Sequence, residues 1–372
     1  MSPSPGGKGL HWLMLVLHRY AGLILGLPIF ILAASGAVLV FEEPLDHFRN
    51  PQLFAVEPKD RTVSVQSLAD RVRATYPNDT PLEIRFPEDP GHAANAFIRR
   101  EGAFIVVFLD QYTGAIKGER GRVSNLMTFI HRLHTGRVGG RAGQIAAGVT
   151  TVVALVGVLG GLYLWWPRKI FTLKRGTNWR RTNFDLHSVL GILSSVVLLF
   201  ILLTGVMITW DEPIERFLVR WIDGQELEKP SQPQSTPFEG GRPLTLDEAV
   251  AISAQALPGT SFVGINIPPD AKKPYFIARR FPEDKTGAGR SGVALDQFSG
   301  KVLSVRNSRT VPVGTRIMNF TEPIHMGTLL GVGTLILASL ASAALAGQAV
   351  TGFLIWWKPR RAGAQRAGTD AA

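Results

Sequence analysis

The chain has no cysteine. Iron–sulfur clusters, thiolate metal sites, disulfides and covalent haem attachment through Cys-x-x-Cys-His are therefore excluded. Any redox centre must be held non-covalently, and histidine is the obvious ligand. Charge is the second shortage, and it is local. Four stretches, about 21–41, 144–166, 188–210 and 327–357, are almost free of it and hold no Asp or Glu. Each exceeds the roughly 20 residues that cross a bilayer core, so each reads as a spanning helix rather than a buried soluble one. Acidic residues are also few beside basic ones, 29 against 40, which leaves a net charge of +11.

That excess could mean nucleic acid, but its placement argues otherwise. Lys8 and Arg19 precede the first span. Arg168, Lys169, Lys174, Arg175, Arg180 and Arg181 crowd the short loop between spans two and three, and Lys358, Arg360, Arg361 and Arg366 follow span four. By the positive-inside rule these segments are cytoplasmic, which puts both termini inside and both long loops outside. The basic excess then reflects topology and attraction to anionic membrane lipid, with no nucleic-acid partner. Ala33-Ala34-Ser35-Gly36-Ala37 resembles a signal cleavage region. The apolar run is too long for a signal peptide and has a partner in mid-chain, so it reads as a retained span.

An internal repeat organises the rest. Leu17-His18, Gly22, Gly36, Glu43-Pro44 and Phe48 match Leu186-His187, Gly191, Gly205, Glu212-Pro213 and Phe217, every pair 169 residues apart. Met127, Phe129, Leu133-His134, Gly136, Gly161 and Trp165-Trp166 match Met318, Phe320, Ile324-His325, Gly327, Gly352 and Trp356-Trp357 at a constant 191. Each copy runs span, external segment, span, and both enter with the same orientation. Parallel repeats of this kind are related by a pseudo-two-fold axis along the membrane normal, which sets equivalent residues at equal depth.

The external segments carry the repeat too. Asp110-Gln111-Tyr112-Thr113-Gly114 matches Asp296-Gln297-Phe298-Ser299-Gly300, each after an apolar run, and reads as a hairpin turn. Residues 67–72 and 246–250 predict short amphipathic helices ending by Pro77 and Pro258. The predicted fold is an α-helical membrane protein with four spans in a tandem pseudo-two-fold repeat and two small external α+β domains. The parts are the N-terminus and first span (1–43), external domain one (44–125), an external segment and second span (126–168), and a basic cytoplasmic loop (169–185). The third span (186–213), external domain two (214–316), an external segment and fourth span (317–358) and a cytoplasmic tail (359–372) follow.

Four of the eight histidines fall on the repeat as two pairs. His18 and His187 stand at the cytoplasmic start of spans one and three; His134 and His325 stand just outside spans two and four, at the opposite face. Equivalent histidines facing across the axis can share one metal, and imidazole is the usual axial ligand of haem iron. Gly22, Gly26, Gly191, Ser194 and Ser195 would leave room for a flat macrocycle between helices, although small residues at such spacing also serve plain helix packing. His131, three residues before His134, is a candidate haem-edge, substrate or second-shell residue, or a surface histidine. Arg132, Arg137 and Arg316 are candidate partners for haem propionates. His11, His47 and His92 have no counterpart and carry no expected role.

In this order the residues resemble the PepSY-associated transmembrane family, and within it the inner-membrane ferric-siderophore reductases. The likeness rests on Leu17-His18-Arg19 with Gly22, the Glu43-Pro44 and Glu212-Pro213 exits and both Asp-Gln-aromatic-x-Gly turns. Leu133-His134-Thr135-Gly136, Ile324-His325-Met326-Gly327 and the Trp-Trp-Pro-Arg ending at Trp165–Arg168 complete it. The fourth span ends Trp356-Trp357-Lys358-Pro359, slightly off that form. The resemblance implies PepSY-like periplasmic domains, two bis-His haem b groups and electron transfer to ferric siderophore outside a bacterial inner membrane. The donor, a quinol or a cytoplasmic reductase, stays open, because no Gly-rich nucleotide motif occurs. Two other readings stand beside it: a sensory or protease-regulating protein whose helices only anchor its external domains, and a metal or proton transporter using histidines as its pathway. The transporter reading expects acidic residues within the spans.

Overall fold

The computed structural model describes residues 5–121, 126–167, 169, 171, 178–227, 233–237 and 240–357. Arg168, Lys174, Arg175, Lys358, Arg360, Arg361 and Arg366, on which the expected topology leans, lie outside the described residues. In chain order the elements are α1 (Pro5–Ile24), α2 (Gly26–Leu39), α3 (Glu42–Arg49), α4 (Pro51–Phe54), α5 (Val65–Thr75), β1 (Thr80–Arg85), β2 (Ala94–Arg100), β3 (Ala103–Leu109) and β4 (Ile116–Gly121). They continue with α6 (Leu126–His134), α7 (Gly140–Trp165), α8 (Trp179–Thr209), α9 (Asp211–Leu218), α10 (Leu246–Ala256), β5 (Ser261–Asn266), β6 (Tyr275–Arg280), β7 (Ser291–Leu295), β8 (Val302–Arg306), α11 (Val313–Met326) and α12 (Val332–Trp357). Two compact units result: a helical one from Met1–Glu42, Ile130–Asp211 and Thr321–Ala372, and a sheet unit from Glu43–Phe129 and Glu212–Phe320.

In the helical unit three helices are long and apolar enough to cross a membrane: Arg137–Trp165, which contains α7, then α8 and α12. The sequence predicts an unbroken first span; instead α1 and α2 meet at 70°. Pro28 supplies the reason. It has no N–H for the Ile24 carbonyl, and its ring would press on that carbonyl in a continuous helix. The break at Leu25 places Pro28 in the first turn of α2, where an N–H has no intrahelical acceptor anyway. The equivalent residue in the second half is Val197, and α8 runs unbroken there.

α8 is also longer than its charge-free stretch. It starts where Asn178 caps the Arg181 N–H, and so takes in Asp185, whose carboxylate is fully buried and paired with Arg181 at 2.9 Å. The expectation of spans without acidic residues holds for the stretches and fails for this helix. α8 packs on α7 and α12, α12 also on α2, and α1 on α7. Ala154, Leu198, Leu202 and Ala341 meet at the centre. The buried positions of α12 are Ala338, Ala341, Ser342, Ala346 and Thr351, small enough for close helix approach. Leu193, Phe200 and Leu340 point outward, as suits hydrocarbon.

In the sheet unit each half forms a four-stranded antiparallel meander preceded by a helix. The sequence predicts two separate small domains. The structure makes one sheet of order β4-β3-β2-β1-β5-β6-β7-β8, because β1 and β5 pair antiparallel with Ile84 opposite Ile265. Each of those strands would otherwise leave an edge of unpaired backbone groups. One core follows, with Leu68 and Val72 of α5, Leu246 and Ala249 of α10, and Ile84, Ile98, Leu109, Ile265, Ile277 and Leu295 from the strands. Each large side chain buried there contributes about 2 kcal/mol. The helices cap each other: Asp247 accepts from the Val65 and Gln66 N–H groups, and Gln66 Oε1 accepts from Leu246 N–H.

The two repeated turns hold by one device. Asp110 accepts from the Tyr112 and Thr113 N–H groups, and Gly114 takes φ +75°. Asp296 accepts from Phe298 and Ser299, with Gly300 at φ +70°. The glutamine between latches the preceding hairpin loop. Gln111 donates to the His92 carbonyl and accepts from Ala94 N–H, and Gln297 donates to the Asp270 and Lys273 carbonyls.

Candidate functional site

The four repeat histidines come together in two pairs within the helical unit. His18 of α1 and His187 of α8 have ring centroids 6.1 Å apart. His134 of α6 and His325 of α11 also stand at 6.1 Å. From His187 to Gly205, which touches His325, α8 rises about 27 Å, so the pairs occupy opposite ends of the bundle.

Each imidazole is tied back through Nδ1. His18 Nδ1 donates to the Gly157 carbonyl at 3.0 Å. His134 Nδ1 reaches the Leu32 carbonyl at 3.0 Å and Ser35 Oγ at 3.1 Å. His325 Nδ1 reaches the Ile201 carbonyl at 2.9 Å and Thr204 Oγ1 at 3.4 Å. His187 Nδ1 meets Thr351 Oγ1 at 2.9 Å, and that hydroxyl donates its own proton to the Gly347 carbonyl at 2.8 Å. Because carbonyls only accept, these contacts put the proton on Nδ1 and leave Nε2 with a free lone pair. Metal-ligating histidines are oriented in this way by a second hydrogen bond. Leu32 and Ser35 lie 169 residues before Ile201 and Thr204, so the repeat supplies the supporting groups as well as the rings.

Each ring also lies on a glycine. A Cβ on Gly36 would meet His134 Cε1 at 3.0 Å, and one on Gly205 would meet His325 Cε1 at 3.0 Å. On Gly161 and Gly352 it would meet the Cε1 atoms of His18 and His187 at 3.3 and 3.4 Å. These are the repeat glycines of the sequence, which places them where a methyl group would tilt an imidazole.

Two trans imidazoles on one metal have centroids about 6.2 Å apart, from a bond of about 2 Å and a nitrogen about 1.1 Å from its ring centre. Both pairs match that separation, so the residues present fit a haem iron between them. A Cβ on Gly22, Gly26 or Gly157 would meet nothing within 4 Å. Gly191 instead faces the Gln348 side chain at 3.3 Å, and Gln348 bonds Ser194. Gly191 and Ser194 therefore pack α12, and the space expected beside them is taken.

His131 sits one turn before His134, half exposed, with Nδ1 3.6 Å from a Glu42 carboxylate oxygen. Arg132 and Arg137 are exposed in the same unit; Arg316 is exposed in the sheet unit. His11 packs its ring 6.2 Å from Tyr163. His47 and His92, which have no repeat counterpart, meet each other, with ring centroids 4.1 Å apart. No sequence signal marks them, because they share no repeat position and come from different elements. The sheet unit also holds an open groove of about 1200 Å³, lined by Arg216, Lys272, Lys273 and Arg306 together with Glu215 and Asp270.

The family model described as the PepSY-associated TM region matches residues 15–358. No curated protein matches the chain. With three helices able to span, or four if the bent pair is one span, the match makes this a multi-pass membrane protein that carries a β-sheet unit.

Proposed function

The chain belongs to the PepSY-associated transmembrane family, and we propose that it is an inner-membrane di-haem b reductase that passes electrons across the membrane to periplasmic ferric siderophore. One observation carries the reading: two equivalent imidazole pairs, each with ring centroids 6.1 Å apart, each ring held through Nδ1, so that each pair would hold one haem iron between its rings. His18 and His187 would hold the inner group, His134 and His325 the outer one. Both termini are cytoplasmic in this reading, and the sheet unit is periplasmic. Bound in these sites, haem supplies a one-electron couple.

The protein's own residues do the rest. Nδ1 hydrogen bonds fix each ring and strengthen its Nε2 as a donor. Ala154, Leu198, Leu202 and Ala341 pack an apolar cluster in the helical unit, a low-dielectric medium for the electron. His131, one turn before His134, lies 3.6 Å from a Glu42 carboxylate oxygen, and Glu322 stands one turn before His325; these polar groups near the outer pair would take up a ligand's proton. Reduction frees iron because the hard oxygen donors of a siderophore hold the ferric ion far more tightly than the ferrous one. No general acid or nucleophile is required, and the donor on the inner side is a quinol or a cytoplasmic reductase.

The test uses purified full-length protein. It is reduced chemically without oxygen, freed of reductant and mixed with a ferric siderophore and a ferrous chelator. The expected result is reoxidation of b-type bands with stoichiometric ferrous capture, and much slower reoxidation in His325→Ala. Absence of a b-type spectrum rejects the haem assignment. Bands that stay reduced against every ferric chelate reject the reductase.

A further inference from the structure

We propose that Glu43, His47 and His92 form a binding site for a divalent first-row transition ion on the sheet unit, separate from the four histidines of the helical unit. One ligand atom from each of the three lies within 4.8 Å of the others. His47 and Glu43 are one turn apart on α3, with His47 Nε2 4.0 Å from Glu43 Oε1. His92 arrives from the hairpin loop between β1 and β2 and packs its ring edge-on to His47 at 4.1 Å.

The two rings are held where they are by other residues. Gln111 donates to the His92 carbonyl, and Ala55 pairs with His92 in an isolated bridge. Phe54 backs His47 at a ring distance of 4.1 Å and itself leans on Phe108. The imidazole nitrogens are left over. Among the described residues neither ring makes a hydrogen bond, in contrast to the four membrane histidines, each held by one at Nδ1. Asp89 lies 3.8 Å from His92 Nε2, close enough to act as a fourth donor or to orient the ring.

Asp46, beside His47 in the chain, is not available. Arg120 takes both its carboxylate oxygens at 2.7 Å, and Asn50 adds a third bond. That pairing also neutralises the Arg120 guanidinium, 5.8 Å from the Phe54 ring centre, which would otherwise repel a cation. The site is reachable, since the Glu43 side chain is 80% exposed and free to swing.

The donor set decides the ion class. Two imidazoles with one or two carboxylates suit borderline first-row ions, whereas calcium and magnesium take oxygen ligands. Donors on one tetrahedral ion at about 2.1 Å stand about 3.4 Å apart. A spacing within 4.8 Å therefore closes with a movement of about 1 Å, which the exposed Glu43 side chain can supply in large part.

Zinc is the probe, titrated calorimetrically into full-length protein. Wild type should bind one equivalent that His47→Gln/His92→Gln loses, with Glu43→Gln weakening it about tenfold or more. The same equivalent should persist in His18→Ala and His134→Ala, which separates it from zinc captured between the membrane histidines. Zinc-loaded His18→Ala/His134→Ala protein read by X-ray absorption should show two imidazoles and oxygen donors. That measurement leaves the proposed ligands intact and does not depend on whether the double glutamine variant folds. The proposal is overturned by wild-type protein that binds no zinc, by stoichiometry unchanged in His47→Gln/His92→Gln, or by a zinc shell without imidazole pairs.

Discussion

Gly205 lies so close to His325 that a Cβ there would meet the imidazole Cε1 at 3.0 Å, and Gly36 stands in the same relation to His134. Contacts that tight require the neighbour to give way. The His325 ring cannot turn freely, because Nδ1 is anchored to the Ile201 carbonyl. Gly205→Ala should therefore tilt Nε2 and cost the outer haem while the inner one stays. The haem-to-protein ratio, from a pyridine haemochrome assay, should fall toward half. Gly161→Ala, at 3.3 Å, should be milder. An unchanged ratio in both Gly36→Ala and Gly205→Ala would reject the outer assignment.

Among the described residues, the Thr351 hydroxyl is the side-chain acceptor for His187 Nδ1, beside a backbone hydrogen bond to Gln348. Thr351→Val keeps its shape, removes the hydroxyl acceptor and leaves the Gln348 backbone contact. Loss of such a supporting bond weakens metal binding by about 10- to 100-fold, and a less basic imidazole favours the reduced metal. The inner haem should then bind more weakly and titrate at a higher midpoint potential. Thr351→Ser should restore both. Equal haem content and equal potentials in wild type and Thr351→Val would show that the Thr351 hydroxyl does not support a haem ligand.

Topology is open to reporter fusions. A cytoplasm-only reporter should be active at Thr177 and a periplasm-only reporter at Ser235. Thr177 lies outside the described residues, but the basic residues around it make its side of the membrane a charge question. Periplasmic activity at Thr177 would invert the assignment and with it the direction of electron flow.

Hydrogen bonds from Arg100 at 2.6 and 2.9 Å hold the Glu119 carboxyl below its ordinary range. A carboxyl depressed in the folded state contributes stability above its unfolded value, near 4.5, and that contribution fades as pH falls through the folded value. The Glu119 side chain is 36% exposed, so solvent screening keeps the effect small. Glu119→Gln should lower the unfolding temperature slightly at about pH 7 and not at about pH 3. A deficit of the same size at both would mean the pair acts by packing instead.

Much of this protein was legible in the chain itself, because the signals are local or periodic. Charge-free runs mark α7, α8 and α12, and the constant 169- and 191-residue offsets single out His18, His187, His134 and His325 with the glycines beneath them. Pro28 is equally visible in the chain, yet hydropathy gives no sign of its bend in the first span, because it counts apolar length and ignores a missing N–H. Other features depended on residues distant in the chain. The β1–β5 pairing merges two predicted domains into one sheet, since only assembly brings those edges together. Gly157, Thr351, Leu32 and Ile201 became supports for the imidazoles through helix packing, and three of them act through backbone carbonyls that side-chain identity does not reveal. His47 and His92 meet because a helix and a hairpin loop converge, a contact that carries no period and no spacing for a sequence to show.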